Sequence, residues 1–342
     1  MKAIVMTGYG GYEVLVEKEV DIPSISSGEV LIRVRGCGIC YRDTIVRRGQ
    51  MRARIPVIPG HEVSGEVIEV GEGVSGFSRG DLVASLIYTY DLRDPSCSGG
   101  KENICRSRSS IGEDRDGCYA EYISLPHWVL VKVGSSGDAK PESYSIAACV
   151  VGTAIRALKT IGGVSKGDRV LITGAGGGVG IHAIQVAKAL GAHVIAVTRS
   201  EEKAKMVEKA GADRIIVYRE GFADEIRRLT DGEGVDLVFE TVGGPTLDQS
   251  LRSVKRGGKI LLVGNVDPSP QKIILGLVIL REINMHGVHN STTEELREAV
   301  EMIRRGLVRP IIRPLPLDEE EVRSAHKSLE SASSIGRYVI KL

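Results

Sequence analysis

The chain has 342 residues, and 45 basic against 44 acidic side chains leave a formal charge of +1. That balance excludes the basic surface that nucleic acid or an anionic membrane selects, so a small or neutral partner is expected. The length allows two domains, each with its own core, and six cysteines are too few for a secreted disulfide framework. No apolar run reaches the roughly 20 residues of a membrane span, and MKAIVMTGYG reads as a strand entering a turn rather than a signal peptide. A cytoplasmic location is expected. Scarce Asn and Gln beside plentiful Glu, Lys and Arg suggest a heat-adapted (thermophilic) source, in which an intracellular disulfide is permissible.

In chain order, residues 1 to about 150 show short β-rich runs, EVLIRVRG, VSGEVIEVG and DLVASLIY, separated by Gly, Pro and Asp turns. From about 152 strands alternate with amphipathic helices: RVLITGAG then GIHAIQVAKALGA, HVIAVTRS then EEKAKMVEKAGA, VDLVFETV and KILLVGNV. The alternation predicts a doubly wound parallel sheet. After about 290, TEELREAVEMIRRGLV has helical spacing and GRYVIKL reads as a closing strand that returns to the first domain. The fold class expected is therefore α/β, with a β-rich domain of 1–151 and 290–342 and a Rossmann dinucleotide-binding domain of 152–289.

The stretch LITGAGGGVGIHAIQVAKALGA joins an apolar strand to a helix through a glycine cluster. Glycines let backbone approach a pyrophosphate, and the helix start offers unpaired N–H groups and a positive dipole end. Strict G-x-G-x-x-G spacing is broken, because Gly177 and Gly180 fill the last two places while Ala175 holds the first and Gly174 lies one residue early; Gly178 completes the set. The second strand should end in an acid that grips the ribose diol of NAD. Thr198 stands there instead, followed by Arg199 and, one turn on, Lys203. Without the carboxylate, and with a guanidinium able to bind a 2′-phosphate, NADP(H) is expected over NAD(H). Val242, Gly264 and Asn265 are further candidate cofactor contacts.

In GCGICYRD, Cys37 and Cys40 have a spacing that serves a redox pair, half a zinc ribbon, or one metal ligand beside a bystander. His61 and Glu62 follow in PGHEVSGEVIEVG, and Cys149 lies in SIAACVVGTAIRAL. Two thiolates and a neutral imidazole satisfy zinc while leaving its fourth position open. With CVVGTA, GAGGGVG and the terminal GRYVIKL, these stretches make the chain resemble the zinc-dependent medium-chain alcohol dehydrogenases over nearly its whole length.

The resemblance implies a GroES-like first domain and one catalytic zinc ion on Cys40, His61 and Cys149, with Cys37 merely packed. It also implies that Asp43 orients the His61 ring, that Glu62 is a mobile carboxylate able to approach the zinc, and that Thr153 and Val179 pack near the nicotinamide while Arg337 reaches the pyrophosphate. The implied reaction is hydride transfer between a nicotinamide cofactor and an alcohol/ketone pair, secondary or cyclic, in a homotetramer or, second, a dimer. A zinc-free quinone or enoyl reductase of the same fold, and a cofactor-binding protein without turnover, are the alternatives.

Two departures stand out. Relatives carry a hydroxyl residue and often a histidine at the positions of Arg42 and Ile45, forming a proton relay; a guanidinium cannot relay a proton as a hydroxyl does, so Thr44, a ribose hydroxyl or water must substitute. Relatives also place four cysteines around a structural zinc where this chain has Asp91, Asp94, Cys97 and Cys105. Closed zinc sites favour Cys and His, so this lobe is expected to lack a tightly held zinc, with Cys97 and Cys105 joined as a disulfide. Cys118 reads as a small buried apolar residue.

Overall fold

A computed structural model describes residues 1–134, 140–218 and 220–342. The chain divides into two compact units, one of Met1–Gly152, Asn290–Gly306 and Ile312–Leu342, the other of Thr153–His289 and Leu307–Ile311. Two boundaries correct the sequence reading: Gly152 stays with the first unit, and 307–311 joins the second. The second shift has a direct cause, since Arg309 N donates to Gln185 Oε1 at 2.7 Å and Ile311 N to His182 Nε2 at 2.8 Å.

The first unit is built on a seven-stranded sheet in the order Ile312–Leu315, Arg337–Lys341, Glu29–Ile39, Glu62–Val70, Leu82–Ser85 and Leu130–Gly134. The seventh strand, Tyr122–Pro126, pairs with residues 29–33 of the long strand Glu29–Ile39, whose far end, 36–39, pairs with Arg337–Lys341. Register shifts at Leu31/Ile32 and Val34/Gly36 bend that strand, as bulges do. Gly38 lies opposite Glu62, and a side chain there would overlap the Glu62 carboxylate. This close approach is what requires glycine at 38.

In the second unit six parallel strands, β1 (Arg169–Ile172), β2 (His193–Thr198), β3 (Arg214–Val217), β4 (Val235–Glu240), β5 (Val254–Leu262) and β6 (Asn284–Gly287), lie in the order β3-β2-β1-β4-β5-β6. That is the doubly wound dinucleotide-binding order. Leu171, Ile195, Val197, Ile216, Val238 and Ile260 are all buried in its core, as continuous apolar runs in a sheet covered on both faces should be.

From Ala147 to Ile161 the chain is helical, with wide π-type turns at Ala147–Gly152 and Arg156–Ile161 flanking Thr153–Ile155. Pro141–Ile161 is long and apolar enough to cross a membrane by length and composition, unlike anything the sequence reading singled out. Because 78% of its apolar window is buried inside the protein, it is a core helix.

Candidate active site

Cys40 ends the strand Glu29–Ile39 as the N-cap of helix Tyr41–Arg47, and Asp43 completes a reciprocal capping box with it. The three-residue spacing from Cys40 to Asp43 is thus local helix-start chemistry. Cys40 N donates to Asp43 Oδ2 at 2.8 Å, which leaves the other carboxylate oxygen 3.1 Å from His61 Nδ1. His61, held at the entry of Glu62–Val70, turns Nε2 toward Cys149 Sγ at 3.7 Å. Ligand atoms of Cys40, His61, Glu62 and Cys149 all lie within 4.8 Å of one another. Three of the four are buried and Cys40 is partly exposed.

The electrostatics match a site built for a cation. A hydrogen bond from the Cys149 thiol holds Cys40 well below the ordinary thiol range against the cost of burial, while Cys149 is correspondingly raised. Burial pushes His61 down, but the charge and hydrogen bond of Asp43 more than offset it and hold the imidazole well above its usual value. Burial lifts Glu62 to about 7 despite the nearby Arg337. Both Glu62 carboxylate oxygens lack a hydrogen-bond donor, although Arg337 Nη2 is 3.2 Å from Oε1; the distance is that of an ion pair without hydrogen-bond geometry. Two sulfurs, an imidazole nitrogen and an unsatisfied buried carboxylate are a donor set that fits zinc.

Arg337, expected at a pyrophosphate, is buried beside Glu62 with Nη1 donating to Ile39 O at 3.2 Å. Among the described residues its Nε and Nη2 have no hydrogen-bond acceptor, although Nη2 is ion-paired with Glu62.

Arg42, at the relay position, is clamped by Glu113, with Nη2 donating to Oε2 at 2.8 Å and Nε to Oε1. Thr44 does not replace the relay: its hydroxyl is buried and donates to Tyr41 O at 2.8 Å.

The other cysteine expectations divide. Cys97 and Cys105 are joined as a disulfide, with Cα atoms 4.7 Å apart. Asp94 lies close to both sulfurs, yet its two oxygens accept from Ser96 N and Ser107 N at 2.9 Å each, and these bonds, Ser96 foremost, hold its carboxyl at about 2. Asp91 is half-buried and pairs with Arg93. Bonded sulfurs and a committed carboxylate do not fit a zinc ion. Cys37 and Cys118, read as a packed bystander and a small apolar residue, are instead bonded to each other across 81 residues. Nothing local in the sequence marks that pair.

In the second unit Gly174 adopts φ +57°, Gly177 is the N-cap of helix Gly178–Ala189, and no side chain caps its first turn. A Cβ on Gly180 would overlap the Gly174 carbonyl and lie 2.9 Å from Ala175 Cα. The loop is thus wound too tightly for side chains, leaving the N–H groups around Gly178, Val179 and Gly180 for a phosphate. Thr198 ends β2 and is buried. Lys203 lies along Gly176, where a Cβ would meet its methylenes at 2.8–3.1 Å; burial, then the charge of Arg199, lowers its pKa. Val242, Gly264 and Asn265 gather beyond β4 and β5: Val266 N donates to Val242 O at 3.0 Å, Gly264 N to Glu240 O at 3.2 Å, and the Asn265 side chain sits against Gly243. Thr153 is buried with its hydroxyl unpartnered.

Two residues here escaped the sequence reading. Tyr218, just past β3, bonds through N to Thr198 O at 3.1 Å, and burial raises its pKa, the charge of Arg199 only partly opposing the rise. Its position at a strand's carboxyl end was the available signal. Glu240 is wholly buried, its Oε1 accepting from Thr173 Oγ1 at 2.7 Å, Val242 N at 2.9 Å and Gly243 N at 3.0 Å, and so shapes the Val242 loop.

A GroES-like sheet unit bearing a Cys-His-Cys cluster and, in the same chain, a Rossmann unit with a glycine-rich strand-to-helix loop together define a class of oxidoreductase. Residues 26–135 match the alcohol dehydrogenase GroES-like domain and 178–305 the zinc-binding dehydrogenase model. The chain belongs to the zinc-binding medium-chain dehydrogenase/reductase family. It is 41% identical to the acryloyl-coenzyme A reductase of Metallosphaera sedula over 99% of both chains. It is 33% identical to an alcohol dehydrogenase of Geobacillus stearothermophilus over 100% of this chain and 99% of the other. The crystal structure of AibC superposes with a TM-score of 0.92, 38% identity, and coverage of 100% of this chain and 95% of that one.

Proposed function

We propose that the protein is an NADPH-preferring reductase of a small α,β-unsaturated acyl thioester, with one zinc ion held by Cys40, His61 and Cys149. The observation that carries this reading is Arg42, fixed by Glu113 at the position where a proton-passing hydroxyl would serve an alcohol. Reducing an enoyl thioester adds hydride to the β carbon and a proton to the α carbon, and the carbonyl is regenerated. Its oxygen needs charge stabilisation during the reaction but ends unprotonated. A guanidinium that never gives up its proton, here committed to Glu113, does not suit deprotonation of an alcohol, whereas the thioester reduction needs no such relay. The name of the Metallosphaera relative supports the same substrate class.

Zinc, where bound, supplies a Lewis acid for the substrate oxygen, and the nicotinamide supplies the hydride. Asp43 holds the His61 tautomer, and Glu62, ion-paired with Arg337, offers a carboxylate beside the ligands. Arg199, Lys203 and Tyr218 support recognition of a 2′-phosphate.

The complete Cys-His-Cys set and the Geobacillus relative favour a second reading, reduction of ketones and oxidation of secondary alcohols. A panel of acryloyl-CoA, crotonyl-CoA and aliphatic, cyclic and aromatic ketones, with NADPH and NADH and with zinc assayed on the same sample, decides between them. Faster turnover of the thioesters is expected. Preference for ketones overturns the first reading in favour of the second, and silence with zinc present favours a binding protein. We also propose a homo-oligomer, tetramer before dimer, formed through the edge of the second unit's sheet, where Leu275, Ile279 and Leu280 are 66%, 71% and 76% exposed in the helix preceding β6. Light scattering that finds a monomer, or an I279K/L280E variant of unchanged mass, refutes it.

A further inference from the structure

The segment Gly117–Tyr119 touches the residues just before His61 and the strand that leads into Cys40. Gly117 N donates to Ile58 O at 2.7 Å, Cys118 N to Gly60 O at 3.0 Å and Tyr119 N to Pro59 O at 3.0 Å, so it runs alongside the residues leading into His61. The Cys37–Cys118 disulfide ties it to the strand leading into Cys40. This double anchorage sets the Tyr119 ring in place. The ring is wholly buried, with its hydroxyl 3.0 Å from Asp43 Oδ2 and 3.4 Å from Nε2 of His326, which packs edge-on against it, ring centroids 6.2 Å apart. His326 comes from helix Glu319–Glu330, 207 residues away from Tyr119.

Only one assignment of protons satisfies this arrangement. An ionised carboxylate can only accept, so Tyr119 donates its hydroxyl proton to Asp43. The tyrosine oxygen then accepts, and His326 must donate from Nε2. Among the described residues its Nδ1 has no hydrogen-bond partner, as suits the bare lone pair of that tautomer. On the other side Asp43 accepts from His61 Nδ1, which leaves the His61 Nε2 lone pair facing Cys149.

We infer that Tyr119 and His326 are positioning residues for the metal centre, passing a one-way hydrogen-bond chain through Asp43 that fixes the ring and tautomer of His61; the inference rests on the reading of Cys40, His61 and Cys149 as a metal site. Burial, reinforced by the Asp43 charge, raises Tyr119 well above the ordinary phenol value and keeps it a donor. Burial lowers His326 to about 4 and keeps it neutral.

The test measures metal affinity of the full-length protein, stripped and reloaded with zinc or cobalt(II) against a competing chelator, and the visible spectrum of the cobalt form. Wild type is expected to take one tightly held ion; if it takes none, the metal reading fails and the inference with it. Y119F, which keeps the ring and removes the hydroxyl, is expected to bind about tenfold more weakly, at the lower end of what outer partners of a ligand histidine contribute, and to shift the cobalt bands. H326L is expected to resemble Y119F, whereas H326Q, whose amide can donate from the Nε2 position, restores the wild-type values. Affinity and spectrum unchanged in folded Y119F, or equal losses in H326L and H326Q, overturn the positioning chain while leaving the metal site standing.

Discussion

His326 gives the sharpest stability prediction. It is wholly buried, and the charged and titratable groups that face it are Asp43, Arg47, Glu330 and Tyr119. Burial dominates and sets its folded pKa at about 4, against 6.5 when unfolded. Because the folded pKa is the lower one, the unfolded chain binds the proton first as pH falls. The stability is fully present above about 6.5 and is lost on the way down to about 4. At ~1.4 kcal/mol per pH unit that difference corresponds to about 3 kcal/mol, with no discount for solvent screening at a fully buried site. H326Q does not titrate, so it lacks this loss while other acid-sensitive groups act equally in both proteins. Urea unfolding, followed by the fluorescence of Trp128, the single tryptophan of the chain and in the same unit as His326, is to be run from pH 7 to pH 4. Wild type should lose about 3 kcal/mol more than H326Q over that range. Parallel profiles would show that His326 is not held neutral by burial, and the reasoning would fail.

Three further outcomes are expected. R199A should weaken NADPH binding by roughly 10- to 100-fold, the loss of a charge-assisted hydrogen bond, and leave NADH unchanged in a fluorescence titration; equal losses for both cofactors would remove Arg199 from the 2′-phosphate. G180A must push backbone against backbone at Gly174 and Ala175, so both thermal stability, by about 1–3 kcal/mol, and NADPH affinity should fall, and a neutral result would mean the loop has slack. C97S/C105S opens a ring whose ends are 8 residues apart, which the chain-entropy relation values at about 2.5 kcal/mol. Elemental analysis should still find one zinc per chain, whereas a drop from two to one would make the lobe a metal site.

Local chemistry was the readable part of the site. Cys40 and Asp43 are a helix cap and its third residue, Gly174 to Gly180 are a loop entering a helix, and Thr198 with Arg199 ends a strand; each keeps its neighbours in sequence when the chain folds. Residues 307–311 were misassigned because their hydrogen bonds go to Gln185 and His182, which no pattern near residue 307 announces. The helix Glu319–Glu330 opens with four acids, Asp318 to Glu321, and nothing in that window marks His326 as buried.

The amino-acid order by itself determined the alternation of strands and helices and the glycine-rich strand-to-helix loop, because periodicity and turns are properties of short windows; Cys40, His61 and Cys149 became candidate ligands through the family resemblance that their motifs carry. Only the tertiary structure decided that Cys37 bonds to Cys118, that Arg337 lies against Glu62, and that Tyr119 links Asp43 to His326. Those contacts join residues from 76 to 275 or more positions apart, and what selects them is the shared burial of polar groups that must find one another once water is excluded.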